Sequence, residues 1–205
     1  LSHHQGQNPY TAEDYFAYVD GKPRYDGVRD FLASRGISLP EGDPCDGPDA
    51  QTICGLGNRK NDLFNTVLAR DGIQPYPGSR RWVDMLQAHG VAMAVISSSR
   101  NAAAVLEAAG LAEDFPVLVD GNRAKAEKLP GKPAPDTYLK GAELLGVRAE
   151  QCVVVEDAVS GVRAGAAGGF GMVLGVNRGV GADRLRAAGA DRVVDDLDEM
   201  VEEMA

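Results

Sequence analysis

Cysteine is scarce in this chain of 205 residues: Cys45, Cys54 and Cys152 are all it has. The number is odd and no two stand in C-x-x-C spacing. Neither a disulfide frame nor a zinc site is implied, and the three read as reduced thiols of a cytoplasmic protein. Long apolar runs are also missing. The longest fall far short of the ~20 residues of a membrane span, and no signal-peptide pattern is visible. Positive charge is in deficit. Lys and Arg number 21 against 30 Asp and Glu, for a formal net charge of −9, which argues against nucleic acid or an anionic membrane as partner. A small phosphorylated ligand stays compatible, because a local basic pocket can sit in an acidic protein. Histidine is limited to His3, His4 and His89; the first two, native or tag-derived, carry no chemistry. There are no repeats and no low-complexity segment. What is present, 44% hydrophobic and 25% charged residues, is ordinary for a globular protein able to bury a core as one or two domains.

The pattern divides the chain. Residues 1–74 read as mostly helical. Thr11 with Asp14 three later resembles a capping box opening a helix into Tyr15 and Tyr18. Val28, Phe31, Leu32 and Arg35 form a helical stripe that stops at Gly36. A Pro/Gly/Asp-rich loop, Pro40 to Pro48, follows. Leu63, Phe64, Val67 and Leu68 form a further helical face, ending near Asp71-Gly72. Pro75-Tyr76-Pro77-Gly78 reads as a stiff connector and domain hinge.

From residue 75 to 205 the rhythm changes. Ala92–Ile96, Val117–Val119, Val153–Val155, Met172–Val176 and Arg192–Val194 are short apolar runs of buried-strand length. Helical patterns lie before, between and after them, at Trp82/Met85/Leu86/His89, Tyr138/Leu139/Ala142/Leu145 and Leu197/Met200/Val201/Met204. Such alternation predicts an α/β fold, a Rossmann-like parallel sheet covered on both faces, with a small helical domain before it. Ligands of such sheets bind at the carboxyl ends of the strands.

Two strand ends carry chemistry. Val95-Ile96 runs into Ser97-Ser98-Ser99, and Cys152-Val153-Val154-Val155 into Glu156-Asp157. Between them stands Lys132, in Gly131-Lys132-Pro133-Ala134-Pro135-Asp136, ahead of a helix. Taken singly, a serine after a strand is commonly a helix cap, an aspartate a turn residue, and a lysine in a Gly-Pro loop a solvated charge. Order and spacing together suggest more. Hydroxyls and helix amides hold phosphate oxygens, lysine balances phosphate charge, and two carboxylates hold Mg²⁺.

These three segments, with Val155-Glu156-Asp157-Ala158-Val159-Ser160-Gly161 as the last, resemble the second, third and fourth motifs of the haloacid dehalogenase superfamily, in the right order. The resemblance covers nearly all of residues 10–200. Arg59-Lys60-Asn61-Asp62 and Gly21-Lys22-Pro23-Arg24-Tyr25-Asp26-Gly27-Val28 are similar to cap segments of its β-phosphoglucomutase-like branch. The resemblance implies that residues 1–74 are a partial helical cap domain and residues 75–205 the core. It implies that Ser97, with the amide of Ser98, binds the transferring phosphoryl group and that Lys132 neutralises it. Asp157 would bind Mg²⁺, with Glu156 as a further ligand or as a partner behind the ligands. Ser99, Arg100 and Asn101 would hold a second phosphate or the sugar end, and Arg24, Lys60 and Asn61 would contribute from the cap.

The superfamily's first motif, D-x-D-G, whose two aspartates are nucleophile and acid/base, has no match. Val19-Asp20-Gly21 and Val119-Asp120-Gly121 look like its second half, but Tyr18 and Leu118 stand where the first Asp belongs. By resemblance the missing strand is the centre of the sheet, and without it two half-sheets would expose unpaired backbone. The chain is therefore expected to begin within the cap of a longer protein and, as 205 residues, to be inactive. Ser97 is no substitute nucleophile, since no histidine lies in the motifs. The function implied is a Mg²⁺-dependent phosphotransferase that is β-phosphoglucomutase-like and acts on a hexose phosphate through an aspartyl-phosphate. The alternatives are a phosphatase of sugar phosphates or other small phosphomonoesters, and a non-catalytic phosphate-binding module.

Overall fold

The structure, a computed structural model, describes residues 8–204; His3 and His4 lie outside them. The chain divides into two compact units between Arg70 and Asp71.

The first unit is helical. Helix α1 (Ala12–Asp14) passes into a π-helical turn, Tyr15–Val19. The capping box forms: Thr11 N donates to Asp14 at 2.9 Å and Asp14 N donates to the Thr11 hydroxyl at 3.2 Å. Helix α2 (Arg24–Ser34) opens after Pro23 and gives out before Gly36, whose φ of +66° lies in the left-handed region. Its Leu32 packs with Ile37 and Ile53 in a small core.

Helix α3 (Ile53–Asp71) begins ten residues before the apolar face that signalled it. That face turns outward: Leu63 is 63% exposed and Val67 48%. The buried end is the beginning, at Ile53, Cys54, Gly55 and Gly57. There the preceding loop supplies partners for the first amides, Ile53 N to Pro40 O at 2.9 Å and Cys54 N to Glu41 O at 3.0 Å. These bonds satisfy orphan helix donors.

The second unit is α/β. Helix α4 (Pro77–Ala88) starts inside the expected connector, with Pro77 at its first turn, where a missing N–H costs nothing. The strands are β1 (Ala94–Ile96), β2 (Val117–Val119), β3 (Val153–Glu156), β4 (Met172–Val176) and β5 (Arg192–Val194). The intervening helices are α5 (Ala102–Ala108), α6 (Gly121–Ala126), α7 (Asp136–Leu145), α8 (Val159–Ala167) and α9 (Ala182–Ala188), and α10 (Asp198–Met204) follows β5. Every strand pairing is parallel.

The strands form two parallel sheets, β1-β2 and β3-β4-β5. Among the described residues β1 and β3 each pair along one edge only. The expectation of strands buried on both faces holds for β4 but not for β3, where Val154 is 4% exposed yet Val153 is 54% and Val155 40%. The main core lies where α4 and α10 cover the larger sheet: Trp82 packs with Leu174, Val176, Val194 and Leu197.

Candidate active site

The chemistry-bearing residues of the second unit sit at strand ends. Ser97 N donates to Val119 O at 2.9 Å, extending the β1-β2 ladder by one residue. The chain then turns over its own hydroxyls. Ser99 N donates to Ser97 Oγ and Asn101 N to Ser99 Oγ, each at 3.1 Å, before α5 begins. Ser97 Oγ accepts here, and its proton remains available to donate. Gly121 N donates to Ser99 O at 3.1 Å. A Cβ on Gly121 would lie 2.6 Å from Ser98 O, so only glycine allows this approach. Arg100 is tied in through its carbonyl, which accepts from Asn122 Nδ2 at 3.0 Å.

Asp120, the nearest thing to a nucleophile in the β2 loop, is a buried N-cap. It accepts from Asn122 N at 3.1 Å, Arg123 N at 2.9 Å and Asn122 Nδ2 at 2.8 Å. Its oxygens stabilise α6, which explains why an Asp occurs there without a D-x-D motif.

Lys132 joins the two strand ends. Its Nζ donates to Ile96 O, at the end of β1, at 3.4 Å, and to Glu156 Oε1, at the end of β3. The two side chains are 6% and 9% exposed. Glu156 is otherwise saturated. Tyr138 Oη donates to Oε1 at 2.9 Å, while Asp157 N and Ala158 N donate to Oε2 at 2.7 and 2.9 Å. Burial would raise its pKa, but the charge and hydrogen bond of Lys132, with the other donors, hold it below the ordinary carboxylate range. Burial and the Glu156 charge push the Tyr138 phenol far above its usual range, so it stays a donor. Gly161 completes the pocket, because a Cβ there would lie 1.9 Å from Glu156 Oε1.

Asp157 was expected to bind Mg²⁺, with Glu156 as a further ligand or a partner behind it. The two carboxylates differ in surroundings. Both oxygens of Glu156 are spent on internal donors, whereas Asp157 is exposed at the strand end. Among the described residues no group of three or more His, Cys, Asp or Glu side chains is placed to hold a metal. Asp157 fits as one hard-oxygen ligand for Mg²⁺. Glu156 fits as the counter-ion of Lys132.

The first unit carries its own cationic cluster. Arg24 donates to Asn58 Oδ1 at 3.2 Å and to Asn61 Oδ1 at 2.6 Å. Tyr25 Oη donates to the same Asn58 oxygen at 3.0 Å, and Asn58 Nδ2 donates to Pro44 O and Asp46 O. Lost hydration, then the charge of Arg24, hold the Lys60 ammonium below its ordinary range. Two neighbouring cations, one of them held by neutral amides, make a natural anion site. Sequence reasoning found Arg24, Lys60 and Asn61. It missed Asn58, whose only signal was its spacing of one helical turn before Asn61. It also took Tyr138 for a plain helix-face residue.

Comparison with known proteins shows what the chain is similar to. Residues 3–169 match the description of haloacid dehalogenase-like hydrolases. The chain is 50% identical over 193 residues to a β-phosphoglucomutase of Mycobacterium bovis, covering 93% of this chain and 74% of that protein. It is 33% identical over 190 residues to hexitol phosphatase A of Escherichia coli, covering 92% and 77%. The crystal structure of a β-phosphoglucomutase from Clostridium difficile shares the fold, with a TM-score of 0.75 at 21% identity, over 95% of this chain and 81% of that one. The chain belongs to the haloacid dehalogenase-like hydrolases, a family of phosphohydrolases and phosphomutases, and within it to the β-phosphoglucomutase-like branch.

Proposed function

We propose that this chain serves a β-phosphoglucomutase-like reaction, the transfer of a phosphoryl group between positions of a hexose phosphate through an aspartyl-phosphate. The observation that carries it is the Lys132 ammonium, held between the Ile96 carbonyl and the Glu156 carboxylate, next in sequence to Ser97 and Asp157. Phosphoryl transfer needs positioning and charge stabilisation more than covalent chemistry from the protein. In this reading Ser97 donates its hydroxyl to a phosphoryl oxygen and the Ser98 amide assists. Lys132 offsets the phosphoryl charge, and Glu156 keeps that ammonium in place. Ser99, Arg100 and Asn101 hold the sugar end or a second phosphate. Mg²⁺ held at Asp157 would neutralise further charge. The nucleophilic carboxylate belongs to a D-x-D-G segment that the 205 residues do not contain.

The likeness to a hexitol phosphatase favours a second reading, in which water takes the phosphoryl group at the same residues. Product analysis separates the two. A chain extended to include a D-x-D-G strand is supplied with β-glucose 1-phosphate, a trace of glucose 1,6-bisphosphate and Mg²⁺. Glucose 6-phosphate is the expected product. Release of inorganic phosphate alone would replace the mutase reading with the phosphatase one, and no turnover would leave a phosphate-binding module.

The Arg24–Lys60 cluster is proposed to take the phosphate that does not react, with Asn61 orienting the guanidinium. Arg24→Ala is then expected to lower kcat/KM for a bisphosphorylated sugar by about 10²-fold, since hydrogen bonds to charged groups contribute ~1.5–3 kcal/mol. A simple monophosphate ester should lose little. Equal losses for both substrates would remove the cluster from substrate binding.

A further inference from the structure

We propose that Tyr138 is a positioning residue for Lys132, holding its ammonium through a shared carboxylate oxygen and through the face of its ring. This rests on the role of Lys132 as the phosphate-binding cation. Tyr138 Oη donates to Glu156 Oε1, the oxygen that Lys132 also uses. The ring centroid lies 4.7 Å from Lys132 Nζ, within cation–π range. The ring is itself fixed, being 7% exposed on α7 and edge-on to Phe170 at 6.0 Å between centroids.

The physical need is clear. A lysine side chain carries much rotamer entropy and no planar fork to orient it. Lys132 has to present its charge at one point between two sheet ends. Its bond to the Ile96 carbonyl is long, at 3.4 Å, so the carboxylate contact alone would leave the ammonium free to pivot about that oxygen. A ring face on one flank and a second donor locking the oxygen remove that freedom. Phenylalanine in place of Tyr138 would keep the ring and lose the lock.

The test is a double-mutant cycle on the affinity for inorganic phosphate in the presence of Mg²⁺, which needs no turnover. Calorimetry compares the unmodified chain with Tyr138→Phe, Lys132→Met and the double variant, each first shown to be folded by circular dichroism. Tyr138→Phe is expected to weaken phosphate binding about tenfold, within the coupling range of residues in one hydrogen-bond network. In the Lys132→Met background the same change should have no further effect. Tyr138→Leu, which also removes the ring, should weaken binding more than Tyr138→Phe. Equal losses in both backgrounds would mean that Tyr138 acts through packing alone and would overturn the proposal. No loss from Tyr138→Phe would overturn it too. If Lys132→Met itself leaves phosphate affinity unchanged, the role assigned to Lys132 fails first and takes this proposal with it.

Discussion

Replacing Lys132 by methionine is expected to cost the fold about 3–5 kcal/mol at neutral pH, because it strands a buried carboxylate. Glu156 would keep its three remaining donors and lose the cation paired with it. Adding Glu156→Gln should restore much of the stability, since the uncompensated charge is then gone, while phosphate binding stays weak. The two variants thus separate the structural role of the pair from its chemical one. The pH dependence has a definite sign. With Lys132 present the Glu156 pKa lies below its ordinary value. Its contribution is therefore full above the ordinary carboxylate range and is lost as pH falls through the folded-state value. Without Lys132, burial is opposed only by the Tyr138, Asp157 and Ala158 donors, so the Glu156 pKa rises and Lys132→Met should lose less stability than the unmodified chain as pH falls. Urea unfolding of both proteins across pH 4–8 measures this directly. Parallel curves would show that the pair contributes nothing to the fold.

The second large effect is expected at Asp157. Asp157→Ala removes an exposed carboxylate from a strand end and opens no apolar cavity, so the melting temperature should stay within a few degrees. Turnover in a chain that includes the D-x-D-G segment should fall by about 10²–10³-fold, the scale on which a single preorganised electrostatic contact is lost. Mg²⁺ should also cease to strengthen phosphate binding, which is measurable without turnover. Glu156→Gln makes the contrast. If Glu156 acts through Lys132 and not as a metal ligand, that variant weakens phosphate while the Mg²⁺ concentration needed for half-effect stays put. Near-normal turnover of Asp157→Ala at saturating Mg²⁺ would remove it from the metal site.

Much of this was legible in the chain because strands buried between helices must be apolar throughout. Val117–Val119, Met172–Val176 and Arg192–Val194 coincide with their strands to the residue. The hydroxyls and acids that matter stand directly after such runs. The rest depended on which residues meet across the fold. Glu156 and Asp157 are equivalent as letters. Only the arrival of Lys132 from 24 residues upstream and Tyr138 from 18 commits the first and leaves the second exposed. The outward face of α3 was hidden for a related reason. Leu63 and Val67 have the spacing of a packed helix, but the loop contacts that anchor α3 come from its first two turns, at Ile53, Cys54 and Asn58.

The edge of β3 has a consequence for how copies of the chain behave in concentrated solution. Val153 and Val155 present an apolar strand with one unpaired margin, a surface suited to annealing with another extended backbone. A formal charge of −9 keeps copies apart by mutual repulsion. That protection is ionic. It shortens to a reach of ~8 Å at physiological salt and ~3 Å at 1 M, while the attraction of the strand margin is hardly screened at all. The colloidal fate of the protein is thus a contest between a long-range charge that salt turns off and a short-range seam that salt leaves intact.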